Sequence, residues 1–286
     1  MTSDTPLPLV GPGVTMRALA ARAEELRRDV TRPVLLAGAR GLGKQFLAQR
    51  IHAGSSLAAQ PLLVFDARRE GAAALGVRLD DAVHGSSLLV RHVELLSIPA
   101  QVTLGERTGE RSHIVRLLAT TTGDVVARVT AGAFLESLYY RLHAWPMLLP
   151  ALAERQPADL LALITAVLAQ TADADADLPI AIDAAATAQL HSYAWPDNLR
   201  ELEATLALAQ LRARGASAIG VAHVSLNAAD ATVPPPAVSL ADVERWHLLR
   251  ALAEHKGNRT HTARSLGISR MTLIGKLKLF SDRAVS

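Results

Sequence analysis

The chain has 286 residues, half of them hydrophobic and only 3% aromatic, which suits one large helix-rich domain with one or two small ones rather than an all-β architecture. It has no cysteine, and that excludes a disulfide framework, a thiolate zinc site and a thiol nucleophile. The formal net charge is +3, yet residues 239–286 hold nine Lys or Arg against four Asp or Glu and the rest is near neutral, a charge placement expected of a nucleic-acid-binding end.

Residues 1–13 are Pro-rich without a charged-then-apolar signal pattern, and no apolar run reaches the roughly 18 residues of a membrane span. A cytoplasmic protein with no membrane partner is expected. Residues 17–30 read as an amphipathic helix and residues 33–37 as a short apolar strand. The loop Gly38-Ala39-Arg40-Gly41-Leu42-Gly43-Lys44-Gln45 follows, then a helix through Ile51. Strand, Gly-rich loop and helix in that order form a P-loop, whose glycines let backbone N–H groups approach phosphates while Lys44 reaches the outer ones. Gln45 stands where many P-loops place Ser or Thr for magnesium. The candidate nucleotide-binding residues are Gly38, Gly41, Gly43, Lys44, Gln45 and, farther on, Arg200, with ATP or ADP as the bound ligand.

Two more buried strands are expected at residues 87–90 and 115–119, and a helix at 159–170. The run Asp173-Ala174-Asp175-Ala176-Asp177 reads as an exposed loop, since it lacks the rest of a calcium-loop pattern. The histidines are scattered with no metal spacing, and no metal is expected. Tyr139, Tyr140, Trp145 and Trp195 are expected in the core. Residues 228–238, with Pro234-Pro235-Pro236, read as an extended linker.

Ser239 then caps a helix whose Leu240, Val243, Trp246, Leu249 and Leu252 fall on one stripe, ending at His255-Lys256-Gly257. Asn258 caps a second helix through Leu266, Gly267 supplies a left-handed turn, and Ser269 caps a third, residues 270–280. Leu273, Leu277 and Phe280 share the face that docks on the other two helices. Two helices joined by a short Gly-containing turn form a helix-turn-helix, with the last helix leading into the major groove.

The run Gly257-Asn258-Arg259-Thr260, Ala263, Leu266-Gly267-Ile268-Ser269-Arg270, Thr272-Leu273 and Lys276-Leu277-Lys278 resembles the Fis-type helix-turn-helix of bacterial enhancer-binding regulators. The resemblance implies double-stranded DNA as partner. It places Arg270 and Thr272 on bases or phosphates, with Arg259, Thr260, Lys276 and Lys278 on the backbone beside the cap Ser269. Met271, Ile274 and Gly275 lie on the outward side, where the family carries polar or basic residues at the last two. Met271 or Ile274 can instead read thymine methyls, and Gly275 weakens the helix by roughly 1 kcal/mol relative to Ala.

The preceding residues resemble the AAA+ domain of sigma-54-dependent activators. Beyond the P-loop, the likeness rests on Gln49-Arg50-Ile51-His52, Phe134 with Leu138-Tyr139-Tyr140-Arg141-Leu142, residues 149–155 and Trp195-Pro196-Asp197-Asn198-Leu199-Arg200-Glu201-Leu202-Glu203. The fold implied is an α/β, reduced AAA+ P-loop domain with a parallel sheet over residues 1–150. A helical lid over 151–227 follows, then the linker 228–238 and an all-α helix-turn-helix over 239–286. No receiver or ligand-sensing domain is expected ahead of it.

What the resemblance leaves unfilled bears on activity. The carboxylate pair that such an ATPase carries at a strand end, one for magnesium and one for the attacking water, falls on Arg91-His92. Asp80 and Asp81 come too early, and Glu94 two residues late. The family's Asn sensor aligns with Thr122, one arginine finger with Leu135 and the other with Arg141. Nothing between Asp66 and Leu88 matches the sigma-contacting GAFTGA loop. No catalytic residue is assigned. Arg200 is either the second nucleotide sensor or a surface arginine bridging to Glu203 or Glu201. The expectation is a dimeric or higher-order DNA-binding transcription regulator on a non-hydrolysing scaffold that does not activate sigma-54 polymerase directly. An ATP-hydrolysing activator, and a partner that joins an intact activator and lends Arg141 in trans, stand as alternatives.

Overall fold

Short apolar runs rich in Val and Leu, each buried on both faces, form a parallel sheet only when crossover helices cover them. The computed structural model describes residues 7–83, 85–108, 115–172, 179–226, 248, 251 and 258–282. Its sheet comprises β1 (Val34–Ala37), β2 (Leu62–Asp66), β3 (Ser86–Arg91), β4 (Val115–Thr121) and β5 (Pro146–Leu148), all parallel, in the order β2-β3-β4-β1-β5. The strands expected at 87–90 and 115–119 are the central β3 and β4.

Alternation along each strand sends side chains to opposite faces. Val115, Leu117 and Ala119 of β4 join Leu88 and Val90 of β3 in one core. That core also takes Leu75 and Leu79 of α3 (Ala72–Asp80), Leu104 of α4 (Ile98–Arg107) and Leu138 and Leu142 of α6 (Glu136–His143). A shorter helix, α5 (Val125–Thr130), adds Val125. On the opposite face α2 (Lys44–Ala53) packs on β1, β3 and β4, burying Leu47, Ala48 and Ile51. α1 (Val14–Arg28) lies against α2.

α1 begins at Val14, three residues ahead of the expected 17. The reason is long-range: the Gly13 N–H donates to Asp159 Oδ1 at 2.5 Å, which fixes the chain just before the first turn. Of the aromatic residues expected in the core, Trp195 is buried. Tyr140 is not; it is 64% exposed, because on α6 it points away from the Leu138 and Leu142 stripe. Trp145 is half-buried, with the guanidinium groups of Arg22 and Arg32 at 3.7 and 3.9 Å from its ring.

The chain divides into two compact units, Met1–Gln170 with Asp197–Leu202, and Thr171–Pro196 with Glu203–Ser286. The first holds the sheet, most of α7 (Pro157–Ala172) and the start of α9 (Asn198–Arg212). In the second, α8 (Ala184–His191) is capped by Asp183, whose Oδ1 accepts from Ala186 N at 2.6 Å. Gln210 Nε2 donates to Pro179 O at 3.1 Å, and Ile182 bridges Ile219. The same unit carries α10 (Arg259–Ser265) and α11 (Arg270–Asp282), with Leu248, Ala263 and Leu273 buried together. Apart from Leu248 and Ala251, the expected first helix of the helix-turn-helix lies outside the described residues, as do the linker and residues 173–177.

Candidate functional site

In an open parallel sheet, ligands bind beyond the carboxyl ends of the strands, where the strand order reverses. Here β1 sits between β4 and β5, and its end runs into Gly38. Gly41 has φ +77, and a Cβ there would collide with the carbonyl oxygen of Asp197. Only glycine fits, for conformational and steric reasons together. A Cβ on Gly38 would lie 2.6 Å from Leu149 O, and one on Gly43 2.8 Å from Pro8 Cγ. The loop is walled on three sides by segments distant in sequence.

Lys44, the first residue of α2, is 8% exposed and donates from Nζ to Gly38 O and Ala39 O, both at 2.6 Å. Burial lowers its ammonium to about 8, and the charge of Glu94 partly offsets this. Gln45 follows it, half-buried on the first turn of α2.

The wall facing Gly41 is the segment Asp197–Leu202. Asn198 adopts φ 50, is buried, donates from Nδ2 to Arg40 O at 3.0 Å and accepts from Leu152 N on Oδ1 at 2.9 Å. The Arg200 N–H donates to Gly41 O at 3.2 Å. Neither surface bridge expected for Arg200, to Glu201 or Glu203, is the one found. Its exposed guanidinium lies 4.0 Å from Asp197 Oδ2, because Glu201 Oε2 turns back to accept from Asp197 N at 3.0 Å. Asp197 also pairs with Arg40 at 3.1 Å.

At the end of β3, Arg91 Nη1 lies 3.1 Å from Asp66 Oδ2 at the end of β2. His92 takes the left-handed conformation, φ 56. Burial, then the charge of Arg68, pushes its imidazole below the usual range. That turn leads into a short 3-10 turn, Val93–Leu95, which swings Glu94 inward. Glu94 is 4% exposed, and Oε1 accepts from Thr122 N at 3.2 Å and from Thr122 Oγ1 at 3.0 Å. Burial raises the carboxyl, but hydrogen bonds from its own N–H, from Thr122 and from the Thr121 hydroxyl outweigh this and hold it below the usual range. The left-handed turn at His92 thus sets Glu94 against Thr122, just after β4, and the end of β3 itself keeps Arg91 and His92.

Sequence reasoning also missed the N-terminal wall. Leu7 and Leu9 are buried, and Pro8 O accepts from Arg155 Nη2 at 2.9 Å. Arg155 is itself buried, which lowers it to about 10, offset in part by Asp159. A proline-rich segment carries no periodic signal of such packing. Arg141 is half-buried on α6 and donates from Nη1 to Gly105 O at 3.3 Å.

The residues present fit a nucleoside phosphate in two respects: the loop turns at Gly41, where only glycine fits, and a buried lysine stands at its end. They do not fit a hydrolytic carboxylate pair at the end of β3.

The helix-turn-helix is built from local capping. Asn258 Oδ1 accepts from Thr260 N and His261 N, both at 3.2 Å. Gly267 takes φ +66 after α10, and Ile268 N returns to Ala263 O at 3.0 Å. Ser269 Oγ accepts from Thr272 N at 3.0 Å and meets Thr272 Oγ1 at 2.8 Å. The Thr272 hydroxyl thereby completes the cap, while Arg259, Thr260, Arg270, Met271 and Gly275 are exposed. Met271 reaches 77%. Ile274 and Lys276 are half-buried, whereas the side chains of Leu277, Lys278 and Phe280 lie outside the described residues.

Among the described residues no helix is long and apolar enough to cross a membrane, and no three or more His, Asp or Glu cluster as a metal site. The profile of the Sigma-54 interaction domain matches residues 10–152. That of the AAA+ ATPase lid domain matches 154–237, and that of the bacterial regulatory protein, Fis family, 239–280. The transcriptional regulatory protein FlbD of Caulobacter vibrioides is 29% identical over 300 residues, covering 88% of this chain and 66% of its own length. ZraR of Klebsiella oxytoca is 30% identical over 311 residues, covering 94% of this chain and 68% of its own. The chain thus spans about two thirds of the length of these curated relatives. NtrX from Brucella abortus, solved in complex with ATP, superimposes with a TM-score of 0.69 at 25% identity, over 98% of this chain and 71% of its own. The chain belongs to the family of sigma-54-type DNA-binding transcriptional regulators, with the AAA+ fold and the Fis-type helix-turn-helix of that family.

Proposed function

We propose that this protein regulates transcription through its helix-turn-helix while its AAA+ body binds ATP or ADP as a scaffold without hydrolysing it. The observation that carries the second half is the Arg91–Asp66 ion pair at 3.1 Å. A cation neutralised by the neighbouring strand stands where hydrolysis needs a metal-organising carboxylate, and His92 stands where it needs a water-polarising one. Binding without turnover is supported by the retained glycine loop and Lys44, and by the ATP and ADP complexes of NtrX. The parts are a reduced AAA+ core over residues 1–150, a lid over 151–227, the linker and the DNA-binding end. With no counterpart to the sigma-contacting loop, direct activation of sigma-54 polymerase is not the mode of action. The protein works in the cytoplasm as a dimer or higher oligomer, since such modules pair half-sites about one helical turn apart.

Steady-state phosphate release tests the scaffold. The expected rate equals that of Lys44→Ala, while equilibrium titration detects bound nucleotide. Turnover that Lys44→Ala abolishes would show that hydrolysis survives without the carboxylates.

DNA binding is expected to be salt-sensitive. Arg270→Ala should weaken operator binding by about 1–3 kcal/mol and relax preference at one base position. Lys276→Ala should weaken all sequences alike and reduce the salt slope by about 1. Fluorescence anisotropy over a salt series separates the two; absence of duplex affinity at low salt would refute the DNA-binding role.

A further inference from the structure

We propose that Met271 is a specificity-determining residue of this helix-turn-helix, which reads the C5-methyl group of a thymine in the major groove. The inference deepens the DNA-binding reading above and rests on it. It also chooses among the side chains that the sequence offers for base contact: Met271 is taken, and Thr272 and Ile274 are set aside.

Packing fixes which way the first turn of α11 points. Leu273 is 0% exposed, buried with Leu248 and Ala263 and with Leu266 and Ile268 packed against them. Met271 stands two residues earlier, about 200° around a helix of roughly 3.6 residues per turn, and so heads away from that core. It is 77% exposed. Gly275, one turn on along the same face, is exposed, and a Cβ there would meet nothing within 4 Å. With no side chain at that point, the helix backbone can approach a base edge closely beside Met271. The two alternatives are otherwise engaged. Thr272 turns its hydroxyl back to Ser269 Oγ at 2.8 Å, and its N–H donates to the same oxygen at 3.0 Å. Ile274 is half-buried.

Of the exposed side chains on that turn, Arg270 carries charge and can meet a phosphate or a base acceptor. Met271 carries neither a charge nor an N–H or O–H donor, and its thioether is a weak acceptor. A phosphate oxygen gains nothing from it. The polar edges of guanine, adenine or cytosine would lose water beneath it without a replacement partner. Thymine alone presents an apolar group in the major groove, its C5-methyl. The unbranched, polarisable methionine side chain suits contact with a single methyl. In a helix-turn-helix the N-terminal residues of the last helix contact base edges, and Met271 is the second residue of α11. One thymine per bound module is therefore read by apolar contact, beside whatever Arg270 meets.

The test enriches duplexes from a randomised library with the full chain. Each thymine of an enriched duplex is then replaced singly by deoxyuridine, which lacks only the methyl. Fluorescence anisotropy compares the native protein with Met271→Gln, a side chain of similar length with a polar tip, and circular dichroism checks that the variant folds. For the native protein, uracil at one position should weaken binding about fourfold, the worth of one methyl-sized apolar contact. Met271→Gln should bind the thymine and uracil duplexes equally at that position. A native affinity indifferent to the methyl at every thymine, or losses that all persist in Met271→Gln, would overturn the proposal and leave DNA binding standing. Loss of all duplex binding by folded Met271→Gln would also overturn it, since one methyl contact cannot carry the whole affinity. Enrichment of no duplex by the native protein would overturn both.

Discussion

Trp195→Ala is expected to lower unfolding stability by about 3–5 kcal/mol, the range for removing a fully buried large aromatic side chain. The indole is 1% exposed and sits edge-on to Tyr193 with ring centroids 5.0 Å apart. Its Nε1 donates to Leu190 O at 3.0 Å, joining the aromatic residue to the end of α8. Truncation removes the apolar burial, opens a cavity and leaves that carbonyl unpaired, and the three losses share one sign. The backbone adds to the cost. Trp195 has φ 51, a conformation that a bulky residue holds only when its side chain is firmly seated. Urea denaturation followed by circular dichroism measures the loss. An unchanged midpoint would mean that the indole contributes nothing to the packing of its unit.

Gly41→Ala should cost about 2–4 kcal/mol and remove most nucleotide affinity, although it adds a single methyl group. Part of the cost is conformational, since φ +77 places a Cβ against the adjoining carbonyl. The rest is steric: the new methyl occupies the position of the Asp197 carbonyl oxygen. Relief by moving Asp197 is resisted by Asn198, which is bonded to Arg40 O on one side and to Leu152 N on the other. Relief by moving the loop breaks the Arg200 N–H bond to Gly41 O and displaces the N–H groups that a phosphate would meet. Thermal denaturation and ADP titration of the same sample should both report the change. Native-like behaviour in both would mean that loop and wall are free to separate.

The parts of this protein that were readable along the chain are those whose physics is local. A four-residue apolar strand, a glycine loop and the helix starting at Lys44 are adjacent in sequence, so their order alone announced a phosphate loop. The helix-turn-helix was legible for the same reason. The Asn258 and Ser269 caps reach only two or three residues ahead, and Gly267 acts at its own φ. The absence of a carboxylate at Arg91 and His92 was equally visible, because a residue's identity needs no fold.

Contacts between distant segments decided the rest. Arg91 finds Asp66 because β2 and β3 are paired in register, Asp66 beside Arg91. Asn198 reaches Arg40 across 158 residues of chain, and Pro8 meets Arg155 across 147. No periodicity encodes such pairings. The left-handed turn at His92 brings a carboxylate that looks misplaced in the sequence onto Thr122, at the end of the adjacent strand β4. Side-chain chemistry and caps act over one helical turn and were determined by the sequence itself. Which charges neutralise one another, and which distant segments wall the glycine loop, depends on strand register and loop closure, and the tertiary structure alone settled that.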